Sequence, residues 1–99
     1  MHRKVEGKHG LAVHTYDLPP NLIVRATVTD EAKFWGAFVV CVNDKCDSVC
    51  VVCPELHSYI EKPIEKLDFY GPDVERSLHA YNGVVTFISR SKLYRFCFE

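Results

Sequence analysis

Ala37-Phe38-Val39-Val40-Cys41-Val42 and Ser48-Val49-Cys50-Val51-Val52-Cys53 are two short runs, apolar and rich in β-branched residues. Between them, Asn43-Asp44-Lys45-Cys46-Asp47 has the chemistry of a turn. Runs of this kind joined by such a connection read as a β-hairpin, with Cys46 in its loop. The first run extends back through Phe34-Trp35-Gly36 and is apolar on both faces, which marks it as the central strand of a sheet.

Toward the N-terminus, Leu22, Val24, Ala26 and Val28 alternate with Ile23, Arg25, Thr27 and Thr29, a period-two pattern that predicts a half-buried strand. Pro19-Pro20-Asn21 breaks the chain before it, and Gly10 to Tyr16 reads as a further strand entering that turn. Toward the C-terminus, Pro54 is placed to open a helix, with Leu56, Ile60, Ile64 and Leu67 at helical spacing and Pro63 predicting a kink near Lys62. Gly71-Pro72-Asp73 predicts a second short helix with Val74, Leu78 and Tyr81 as its apolar stripe, ended by Asn82-Gly83. Val84 to Ser89 and Leu93 to Phe98 flank Arg90-Ser91-Lys92 and read as a closing hairpin.

The expected order is therefore β-β-β-β-α-α-β-β. The fold class is α+β: a mostly antiparallel sheet of about six strands with two short helices, or a partly closed barrel. The 99 residues suit a single domain spanning 1–99, because two separate cores would each be too small to offset chain entropy. No internal repeat, linker or low-complexity segment interrupts it.

The longest apolar run, 34–42, is nine residues, less than half of the roughly 20 that a membrane-spanning helix needs. The first residues carry positive charge but lack the apolar stretch of a secretion signal. Cys41, Cys46, Cys50 and Cys53 crowd into thirteen residues, and Cys97 makes the count odd. That clustering favours thiols or metal ligands in a reducing compartment, cytoplasmic or nuclear, over a disulfide framework. The net charge of −1 gives no bulk attraction to nucleic acid or membrane. Residues 1–28 and 80–99 are nevertheless basic and the middle of the chain acidic.

Three constellations bear on function. Cys46, Cys50, Cys53 and His57, with Cys41 as a spare ligand, supply the four thiolate or imidazole groups of a structural zinc site. Opposing this, Val49, Val51 and Val52 ask for an extended strand, which points Cys50 and Cys53 to opposite faces and suits buried core thiols without metal. The same alternation opposes dithiol catalysis by the Cys50-Val51-Val52-Cys53 pair, although a following helix would lower the Cys53 pKa. Second, Arg3, Lys4, Lys8, Arg90, Lys92 and Arg95, interleaved with Tyr94 and Phe96, are the ingredients of an RNA or single-stranded DNA surface. Third, Phe34, Trp35, Tyr59, Phe69, Tyr70 and Tyr81 are residue types enriched at protein-binding hot spots.

No glycine-rich phosphate loop and no nucleophile-elbow pattern is present, and His14 and His79 have no partner that spacing can identify. Glu61 with Glu65 and Asp73 with Glu75 lie among lysines and arginines, as on a solvated face. The expected function is that of a small non-enzymatic interaction or regulatory protein acting on a protein partner. An accessory factor encoded by a virus or phage is one setting for such a domain. The alternatives are a zinc-stabilised nucleic-acid binder and a cysteine-dependent enzyme.

Overall fold

The computed structural model describes residues 4–6, 11–32 and 35–98, and its chain is mostly antiparallel sheet. A hairpin of β1 (Lys4–Glu6) and β2 (Leu11–Val13) precedes two larger sheets. The first is a four-stranded meander of β3 (Leu22–Thr29), β4 (Ala37–Asn43), β5 (Ser48–Cys53) and β6 (Ser58–Pro63). The second is a three-stranded meander of β7 (His79–Tyr81), β8 (Val84–Ser89) and β9 (Lys92–Cys97). A 3-10 turn at Lys66–Asp68 and the seven-residue helix α1 (Gly71–Ser77) connect them, and a further 3-10 turn at Pro54–Leu56 lies between β5 and β6.

The hairpin of β4 and β5 forms as its residues require. Cys41 faces Cys50 and Val42 faces Val49 across it, and every residue of β5 is buried. Phe38, Val40, Val42, Val49, Val51 and Cys53 line one face, where they meet Val74 of α1 and Ala80, Val85, Phe87, Tyr94 and Phe96 of the second sheet. The two sheets thus close on one apolar cluster. Phe87 stacks at 5.2 Å on Tyr94 and at 5.7 Å on Phe96, and Phe38 packs at 5.1 Å against Phe98.

The predicted helix after Pro54 is overturned. Only one 3-10 turn forms there, because His57 takes a left-handed conformation (φ 52°) that reverses the chain into β6. The open edge of β5 carries backbone groups that need partners, and β6 supplies them in register from Cys53↔Ser58 to Ser48↔Pro63. The helical spacing was coincidental: Ile60 packs on the core from a strand, while Leu67 is 84% exposed. Pro63 ends the strand at a sheet edge, where its missing N–H is tolerated.

The second predicted helix is present but shorter. Asn82-Gly83 does not end it; with φ of 51° and 84° these residues make the two-residue turn between β7 and β8. Tyr81 belongs to β7 and not to a helical stripe. Strand number also differs: among the described residues seven strands lie in the two main sheets and two more in the N-terminal hairpin, against the expected six. Neither main sheet closes into a barrel; β3 and β6 end one and β7 and β9 the other.

A bulge in β3 explains why its apolar alternation does not fill one face. Val24 pairs with Cys41 and Ala26 with Val40, so Arg25 is the extra residue and the strand changes face there. Ala26 and Val28 stand opposite Val40 and Phe38 on the core side, whereas Leu22 packs beside Cys41 and Cys50 on the other. No helix of the described residues is long and apolar enough to cross a membrane.

Candidate functional site

Cys41 and Cys50 lie on the face of the first sheet that points away from the main core, in a small cluster with Val52 flanked by Leu22 and Val39. Burial pushes the Cys41 thiol pKa up. Burial, then the neighbouring Cys41 and Glu61, pushes Cys50 up to about 11. Cys53, three residues on, lies on the opposite face in the main core, as strand alternation demands. Its thiol donates to the Trp35 carbonyl at 3.9 Å. Burial raises the Cys53 pKa and outweighs the lowering by hydrogen bonds from the Leu56 and Glu55 backbone, so the helix-dipole activation anticipated for it does not prevail.

Cys46 sits half-buried in the β4–β5 turn with φ 59°, its N–H donating to the Asn43 carbonyl. His57 is exposed beyond β5 and meets the Tyr16 ring edge-on at 5.9 Å. The structure does not gather Cys46, Cys50, Cys53 and His57. Among the described residues no group of three or more histidine, cysteine, aspartate or glutamate side chains is arranged to hold a metal ion.

The basic residues are dispersed as well. Arg3 and Lys8 lie outside the described residues, and Lys4 is on β1. Arg90, in the β8–β9 turn, lies over the Tyr70 ring at 4.5 Å while its N–H donates to Asp73 Oδ2. Lys92 Nζ donates to Asp68 Oδ2 at 2.6 Å, and that hydrogen bond raises its pKa. Arg95 is exposed on β9, but Tyr94 and Phe96 on either side of it are buried in the core and offer no stacking platform.

Of the aromatic residues considered for protein binding, Phe34 lies outside the described residues. Trp35 and Phe69 pack against the core, whereas Tyr59, Tyr70 and Tyr81 are exposed. Tyr81 belongs to a larger feature. The outer face of the second sheet aligns Tyr81, Val84 and Cys97 in one row, His79, Thr86 and Arg95 in the next, and Ile88 with Leu93 in a third. Leu93 is 69% exposed and Ile88 45%. His79 Nε2 is 3.1 Å from Glu31 Oε2 at the β7 end.

Beside this face runs a groove of about 770 Å³ lined by Lys62, Pro63, Ile64, Glu65 and Asp68 on one side and by Lys92, Leu93, Tyr94 and Arg95 on the other. Successive strand residues point to opposite faces, so four consecutive residues can border one groove only if the strand presents its edge. Phe98 N–H donates to the Gly83 carbonyl, which fixes the even-numbered residues of β9 as those that hydrogen-bond inward to β8. The backbone groups of Leu93, Arg95 and Cys97 therefore point outward along an edge that no strand among the described residues pairs with. The signal for this edge lay in the sequence: Asn82-Gly83 between two strand-like runs makes the C-terminal strand the last of a three-stranded meander.

No family model matches the chain, and no curated protein or solved structure is similar enough to it to count as a match. The class the fold and site define is that of two facing, open antiparallel sheets with a short helix and a free strand edge.

Proposed function

We propose that the protein is a binding module that accepts an extended segment of a protein partner as an added strand along β9. The observation that carries this reading is the groove bordered by consecutive residues of an edge strand, with the unpaired backbone of Leu93 and Arg95 facing it. Strand addition draws affinity from main-chain hydrogen bonds and specificity from alternate side chains. Here the side chains at hand are Leu93 and Ile88 on the outer face, so the partner segment is one with apolar residues at alternate positions. Lys92 and Arg95 keep the edge from pairing indiscriminately, a role charged residues commonly have on free edges. The nucleic-acid reading draws less support, since Lys92 is already paired with Asp68 and Arg90 with Tyr70 and Asp73.

Selection of linear, unstructured peptides from a displayed random library against the full chain tests this. Selected peptides should carry alternate apolar residues and should protect the Leu93 and Arg95 amides from exchange. Arg95→Pro, which deletes one outward N–H, should abolish their binding while leaving the circular dichroism spectrum intact. Peptides that bind this variant as well as wild type would reject the β9 edge as the site. Binders that vanish steeply with added salt would instead favour a charge-driven ligand such as single-stranded RNA.

A further inference from the structure

We propose that Cys41 and Cys50 form a redox-modification site, a cross-strand dithiol that a peroxide converts to a disulfide within the β4–β5 hairpin. The two residues are register partners on neighbouring antiparallel strands, and their side chains share one face and one small cluster. Directly opposed residues in such a pair have Cα atoms about 4.5–5.5 Å apart, inside the roughly 4.4–6.8 Å that a disulfide spans. Closing the bond therefore requires side-chain rotation without displacement of either strand.

The register singles out this pair. Cys53 faces the other side of the sheet, Cys46 sits in the turn, and Cys97 lies on the second sheet, where it pairs with Val84. No other two cysteines of the chain are register partners in the strands described. Both thiols are free and almost wholly inaccessible. Val52, Leu22 and Val39 around them accept a neutral dithiol or a neutral disulfide, and burial together with Glu61 opposite Cys50 on β6 resists a thiolate. That environment restricts the co-reactant to a small uncharged oxidant, and a peroxide is of that kind.

The chemistry balances in two steps. A peroxide oxygen is transferred to the sulfur of one cysteine, giving a sulfenic acid and releasing water from hydrogen peroxide. The second thiol then attacks that sulfur: the S–O bond breaks, the S–S bond forms, and the hydroxyl leaves as water with the thiol proton. Over both steps the two sulfurs lose two electrons and the peroxide gains them.

The test uses the full chain with Cys97→Ser, which removes the exposed thiol and with it cross-linking between molecules. Folded protein is treated with excess hydrogen peroxide, blocked with N-ethylmaleimide and digested with trypsin without reductant. Cleavage after Lys45 separates the two cysteines into peptides 34–45 and 46–66, so with blocking carried out in denaturant the bond appears as a linked pair that has lost two hydrogens and carries one maleimide on each of Cys46 and Cys53. The expected result is that linked pair in most molecules, its fragment ions placing the bridge at Cys50, and its loss on adding dithiothreitol. Recovery of Cys41 and Cys50 as free thiols after unfolding would overturn the proposal. So would a bridge from Cys41 to Cys46 or Cys53, or sulfinic acid at either residue without a link. Because the readout is a mass and not a binding measurement, it stands or falls separately from the β9 edge.

Discussion

At Gly83 a single missing methyl group decides whether two elements can meet. A Cβ there would lie 2.6 Å from the Trp35 indole, and the residue already has φ of 84°, a conformation L side chains resist. Left-handed backbone alone costs roughly 1–2 kcal/mol for a residue with a Cβ, and the ring contact adds to it. Gly83→Ala should therefore lower unfolding free energy by about 2 kcal/mol or more in urea titration, whereas Asn82→Gly in the same turn should shift it by less than about 1 kcal/mol. Equal effects of the two would mean that Trp35 moves aside without cost. Asp30, fully buried, holds the Gly83 N–H at 3.4 Å, and nothing in its sequence neighbourhood marked it as more than part of a polar connection. Burial of a carboxylate by residues fifty positions away is invisible until the sheets are stacked.

Cys50 permits a prediction of opposite character, in which burial acts through protonation. Its folded-state pKa of about 11 lies above that of an unfolded cysteine, so between the two values the folded state holds a proton that the unfolded state has released. Stability from this group is complete below about pH 8.5 and falls as pH rises toward 11, by about 3 kcal/mol in all. Tyrosines and lysines titrate in the same range, so the comparison is between wild type and Cys50→Val. The wild type should lose more stability than the variant from pH 8 to 11, read from urea midpoints at each pH. Parallel loss in both proteins would show that Cys50 is not the group responsible.

Among the elements, those fixed by local pattern were legible and those fixed by backbone pairing were not. The β4–β5 hairpin followed from two apolar β-branched runs around a polar turn, and the opposed faces of Cys50 and Cys53 followed from period-two alternation. Their register also places Cys41 opposite Cys50, a relation that needs the loop length as well as the runs. The strand β6 is hidden because Leu56, Ile60 and Ile64 imitate helical spacing, while the real determinant is the edge of β5 that needs a partner. Asn82-Gly83 suits a helix end because it follows α1, although the same dipeptide is a strong hairpin signal when strands flank it. That double meaning hides the free edge of β9. Its geometry predicts a pattern in hydrogen exchange: the amides of Tyr94 and Phe96, bonded inward to β8, should exchange much more slowly than those of Leu93 and Arg95. Uniform protection along β9 would mean that its outer edge is already paired, as by a second copy of the chain.

For the whole molecule, the decisive fact is that both sheets contribute to one apolar cluster. Phe38 reaches it from β4 and Phe87 from β8, and both are almost completely buried. Had each sheet enclosed its own core, the chain would unfold in two steps, and a cavity in one sheet would leave the other step unmoved. A shared core couples them, so loss of packing on either side removes the surface that the other sheet needs. Phe38→Ala and Phe87→Ala should therefore each lower a single cooperative transition by about 3–5 kcal/mol. Fluorescence of Trp35, which packs against the same cluster, and far-ultraviolet circular dichroism should follow the same curve in both variants. Two separated transitions, with only one displaced in each variant, would show that the four-stranded and three-stranded sheets stand independently, and that the groove between β6 and β9 joins two movable halves.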